Sequence, residues 1–89
     1  MDTHSRLEKL QRHFRHFGTR LYERYNILIT FEEYVYYCNL PEIKNAIKVE
    51  REDGRTSMQG FLKIKGRQVK VYRQSCRPRA LLTALPLKN

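Results

Sequence analysis

The side chains best suited to chemistry are cations interleaved with aromatics near the end of the chain: Phe61, Lys63, Lys65, Arg67, Lys70 and Tyr72. Ammonium and guanidinium groups neutralise phosphates while aromatic rings stack on bases, so the combination suits a nucleic acid, and RNA ahead of DNA. Lys and Arg also stabilise a pentavalent phosphorane, and Tyr72 or Glu50 could move a proton. No Gly-rich phosphate loop, paired-carboxylate motif, nucleophile elbow or metal-ligand constellation is present, so the pattern calls for no cofactor and no metal. An enzyme of this kind would be a metal-independent ribonuclease; whether the chain cleaves or only binds is left open.

Two hairpins would position these groups. Gly66-Arg67 suits a two-residue type II′ turn, which pairs Lys65 with Gln68, Ile64 with Val69, Lys63 with Lys70, Leu62 with Val71 and Phe61 with Tyr72. Asp53-Gly54 suits a type I′ turn, pairing Val49 with Met58 and Ile47 with Gly60. Alternation then gives an apolar face of Ile47, Val49, Met58, Leu62, Ile64, Val69 and Val71. The polar face groups Lys48, Ser57, Gln59, Phe61, Lys63, Lys65, Lys70 and Tyr72, with Arg55 and Arg67 at the turns. Two lysines facing each other repel, so either Glu50 on the next strand or a bound phosphate should stand near Lys63 and Lys70. Two outcomes are open for Phe61 and Tyr72: a helix covers them, or they stay free to stack.

Upstream, Ser5 and Glu8 fit a capping box, and Leu7, Leu10, Phe14, Phe17 and Leu21 recur at helical spacing to about residue 24. Lys9, Arg12, His13, His16, Arg20 and Arg24 lie off that stripe, as a solvated face or as a surface that meets an anion. All three histidines belong to this helix, so a histidine base would have to come from it. Thr30 and Glu33 form a second capping box for a short helix through Asn39, with Phe31, Tyr34, Val35 and Cys38 inward and Tyr36 and Tyr37 at the rim. Pro41 is placed to open a third short helix over 41–46. Arg73, Arg77 and Arg79 mark a basic loop before the apolar run 80–85, which reads as a fourth strand.

Eighty-nine residues make a single small α+β domain over 1–89. Lys and Arg number 18 against nine acids, a net charge of +9 that favours polyanionic partners. No run of 18 apolar residues exists, and Met-Asp-Thr-His lacks the order of a signal peptide; a cytoplasmic protein without a membrane partner is expected. Cys38 and Cys76 stand alone and are expected as reduced thiols.

The last third, Gly66-Arg67-Gln-Val-Lys-Val-Tyr72 followed by Leu81-Leu-Thr83-Ala-Leu-Pro86, resembles the closing strands of small bacterial RelE/ParE- and barnase-like toxin nucleases. Helices first and an antiparallel meander second agree with that family's order. The resemblance covers about 35 residues and implies an RNA-directed toxin or a non-catalytic relative, with an antitoxin as partner. It implies Thr83 as a strand-end hydroxyl and Arg55, Lys63, Arg67, Tyr72 and Arg73 as phosphate-directed groups.

The expectation is therefore an α+β fold, two to three N-terminal helices on one face of a four-stranded antiparallel meander. Lys63, Tyr72, Arg73 and Thr83 are the catalytic candidates. Arg55, Lys65, Arg67, Lys70, Arg77 and Arg79, with Arg12, His16 and Arg20 on the helix, are the nucleic-acid-binding candidates. The alternative is a non-enzymatic interaction module, such as a phage or plasmid inhibitor or regulator, that docks its basic helix on an acidic protein.

Overall fold

The computed structural model describes residues 3–40, 43–50, 54–75 and 79–86. Helix α1 spans Thr3–Tyr25, so it begins two residues before the expected cap at Ser5, and it ends where Asn26 turns left-handed at φ 57°. Helix α2 spans Phe31–Cys38. Its capping box is complete: the Thr30 hydroxyl accepts from Glu33 N at 3.1 Å, and the Glu33 carboxylate accepts from Thr30 N at 2.8 Å.

Four strands follow, β1 Lys44–Glu50, β2 Thr56–Ile64, β3 Arg67–Gln74 and β4 Leu81–Leu85, in one antiparallel sheet of order β1-β2-β3-β4. The fold is thus the expected α+β arrangement with two helices. Pro41 lies outside the described residues, and residues 44–46 of the expected third helix belong to β1. The apolar stripe of α1 buries Leu10, Phe17, Leu21 and Tyr25 against Leu62, Ile64, Val69, Val71, Leu81 and Ala84, with Tyr34 and Cys38 of α2 closing the core. Each such large side chain contributes roughly 1.5–3 kcal/mol by leaving water.

The register differs from the expected one in both hairpins. Between β2 and β3 the turn is Lys65-Gly66, both at positive φ (49° and 81°), which is a type I′ turn. Ile64 therefore pairs with Arg67, Lys63 with Gln68, Leu62 with Val69, Phe61 with Lys70 and Gln59 with Tyr72. Moving the turn by one residue offsets every pair by two and leaves the faces unchanged. Leu62 and Ile64 are buried and Lys63 exposed, as expected, but Lys63 no longer faces Lys70.

Between β1 and β2 the error changes faces. Glu50 pairs with Thr56, a register one residue off the one that the two-residue Asp53-Gly54 turn would set; Asp53 itself lies outside the described residues. The pairs are Lys48 with Met58, Val49 with Ser57 and Ile47 with Gln59, which puts Ile47 and Val49 on the polar face and Lys48 off it. A shift between Lys44 and Ile47, where Asn45 sits at φ 55°, brings Lys44 opposite Phe61. Ile43, not Ile47, covers Gly60: an added Cβ there would lie 2.8 Å from both Ile43 Cγ1 and the Lys44 carbonyl oxygen.

The helices also close one sheet edge. Tyr34 donates its hydroxyl to the Leu81 carbonyl at 2.7 Å, Cys38 Sγ accepts from Leu81 N at 3.3 Å, and Arg24 donates to the Ala84 carbonyl at 2.6 Å. Tyr25 donates to the Leu85 carbonyl at 2.6 Å and accepts from Lys70 N at 3.1 Å. Backbone groups of β4 that another strand could claim are taken in this way.

Candidate nucleic-acid interface

The helices pack on the face of Leu62 and Val71, and the opposite, outer face of the sheet carries the candidate site. The register lays it out in rows across the strands. Val49, Ser57 and Gln74 make one row; Ile47, Gln59, Tyr72 and Thr83 the next; Lys44, Phe61, Lys70 and Leu85 the third; Lys63 and Gln68 the last. Directly opposite neighbours stand about 4.5–5.5 Å apart at Cβ.

Phe61 is therefore ringed by cations. Lys44 and Lys70 flank it on the neighbouring strands and Lys63 follows it on its own; Lys44, Phe61, Lys63 and Gln68 line a hollow of about 180 Å³. Phe61 and Lys70 are half-buried, and Lys44 and Lys63 are exposed. Tyr72 lies diagonal to Phe61, with the neutral Gln59 and Thr83 across the strands and Lys70 and Gln74 along its own. Among the described residues the outer face carries no acid, because Glu50, opposite Thr56, belongs to the other side.

Of the four catalytic candidates, Lys63, Tyr72 and Thr83 share the outer face, with Tyr72 directly opposite Thr83. Arg73 does not join them. It lies within β3 rather than in the expected loop, faces inward opposite Met58 and Leu81, is 5 % exposed, and donates to the Leu40 carbonyl at 2.5 Å. Burial, and then the charge of Arg79, push its pKa down from the usual arginine range.

The binding candidates divide likewise. Lys70 is on the outer face. Lys65, in the turn, pairs with Glu33 at 3.7 Å. Arg67 donates to the Tyr25 carbonyl and stands over the Tyr25 ring at 5.9 Å, binding β3 to the end of α1. Arg55 is exposed just ahead of β2, Arg79 is half-buried just ahead of β4, and Arg77 lies outside the described residues. On α1, Arg12 and His16 are exposed and Arg20 pairs with Glu23 at 2.9 Å. These three are on the helix layer, away from the outer face.

Sequence reasoning missed Lys44, which was assigned to a helix, and the outward placement of Ile47 and Val49. The available signal was Asn45, a residue type that tolerates the left-handed conformation a bulge needs. Among the described residues no three histidine, cysteine or acidic side chains gather as for a metal ion, and no described helix is long and apolar enough to cross a membrane. Cys38 is a free, buried thiol whose pKa burial pushes up; Cys76 lies outside the described residues. Comparisons of the chain with protein-family models, curated proteins and solved structures gave no match.

Proposed function

We propose that the outer face of the sheet binds single-stranded nucleic acid, RNA ahead of DNA, stacking bases on Phe61 and Tyr72 while Lys44, Lys63 and Lys70 neutralise phosphates. The observation that carries this reading is the ring of three lysines around Phe61 on a face without a described acid. A duplex hides the faces of its bases, whereas a single strand offers them to a flat sheet. The Thr83 hydroxyl and the Gln59 amide beside Tyr72 are groups that can meet a ribose 2′-hydroxyl, which favours RNA. A sheet face covered by the helices would have favoured the docking alternative; the helices pack on the other face, which leaves the aromatic face open. Cleavage has weaker support, since Arg73 is committed to Leu40 and the face then lacks a described guanidinium for the developing charge.

Anisotropy titration of a labelled single-stranded oligoribonucleotide tests the reading. Neutralising three phosphates on a single strand gives a slope of log affinity against log salt near about −2. Phe61→Ala should weaken binding by roughly 1–3 kcal/mol, the usual worth of one stacked base. A flat salt dependence, or a Phe61→Ala variant that binds as tightly as the parent, would overturn it.

A further inference from the structure

The two aromatic platforms stand in chemically different surroundings. Phe61 is flanked by Lys44, Lys63 and Lys70, which attract a phosphate on any nucleotide and distinguish no base. Tyr72 is flanked across the strands by Gln59 and Thr83 and along its own strand by Lys70 and Gln74. The Gln74 amide oxygen is engaged, accepting from Ala80 N at 3.3 Å. Gln59 is different: it is half-buried, and its carboxamide makes no hydrogen bond to another described side chain or backbone group. A half-buried amide offers a donor and an acceptor side by side and gains from a ligand that presents the complement.

We infer that Gln59 reads the base stacked on Tyr72 and that it selects adenine; this rests on the single-strand-binding reading above. The geometry is that of direct neighbours, with Gln59 opposite Tyr72, so its amide lies beside whatever stacks on the ring. A purine covers more of the tyrosine ring than a pyrimidine does. Of the two purines, adenine presents an adjacent donor and acceptor on both reachable edges, N6 with N7 and N6 with N1. Guanine presents two acceptors on its O6/N7 edge, where the amide oxygen is repelled, and matches only on the other edge. The amide is therefore satisfied by adenine in either orientation and by guanine in one.

The test uses the full chain and four nine-nucleotide oligouridylates, identical except for A, G, C or U at the central position, with affinity read by anisotropy. The adenine oligomer should bind about tenfold more tightly than the guanine one, at the low end of what a bidentate amide contact discriminates. Gln59→Leu should erase the difference between the adenine and guanine oligomers, with a thermal melt verifying the fold of the variant. Equal binding of all four by the parent chain overturns this inference and leaves the binding face standing. An adenine preference that survives Gln59→Leu overturns the role of Gln59. Failure of every oligomer to bind overturns both readings together.

Discussion

Gly60 has no room for a side chain. Its inner side lies under Ile43, and an added Cβ would meet Ile43 Cγ1 and the Lys44 carbonyl oxygen at 2.8 Å. The aliphatic end can rotate away, but the carbonyl belongs to the strand paired with it and cannot move without disturbing that pairing. Gly60→Ala should then cost about 1–3 kcal/mol, as overpacking does, instead of gaining from reduced chain entropy. Urea unfolding checks this: an unchanged or raised midpoint would mean that Ile43 does not cover the strand. Arg73 makes the opposite point. A basic residue in a basic stretch reads as a ligand-binding group, yet its guanidinium is spent inside the fold on the Leu40 carbonyl. Nothing local distinguishes it from Lys70, three positions earlier on the same strand, because the difference is only which way alternation turns it.

At the scale of elements, α2 shows what short-range chemistry specifies. Thr30 and Glu33 satisfy each other's backbone amides, so Thr30→Ala should cost about 1 kcal/mol. The backbone hydrogen bond from Thr30, assisted by the Lys65 charge, holds the Glu33 carboxyl below its ordinary pKa. A carboxylate with a lowered folded pKa stabilises the fold above its unfolded pKa, and that contribution is lost as pH falls through the folded value. Glu33→Gln should accordingly flatten the acid limb of the stability profile and do little to its slope near neutrality; an unaltered acid limb would show that the box is not formed in solution. Both helices were legible because caps and three-to-four spacing are local. The faces of β2 and β3 were legible too, since either two-residue window containing Gly66 gives the same alternation. The faces of β1 were not. They depend on whether the connection has an even or odd number of residues and on a bulge at Asn45, and neither is fixed by the alternation of apolar residues within the strand. Alternation thus places Gln59 and Lys63 on the face they occupy, while it leaves Lys44 off that face and puts Lys48 on it.

On the scale of the whole molecule, cations occupy two sides. The outer face carries Lys44, Lys63 and Lys70, and exposed Lys9 and Arg12 lie along α1 on the helix layer. Distance decides how these sets act on one ligand. The shortest principal extent of the protein is 22 Å. The screening length is about 10 Å at 0.1 M salt and about 30 Å at 0.01 M, so the helix charges reach a ligand on the far face only when salt is low. Lys9→Gln combined with Arg12→Gln should slow association at 0.01 M salt, leave the dissociation rate unchanged, and become indistinguishable from the parent at 0.1 M and above. Lys63→Gln should behave differently, raising the dissociation rate at every salt concentration and lowering the salt slope by about 0.7, the share of one phosphate on a single strand. Stopped-flow measurement separates the two. If the helix variant also dissociates faster at 0.1 M, α1 touches the ligand, and the binding surface extends around the molecule rather than ending at the sheet.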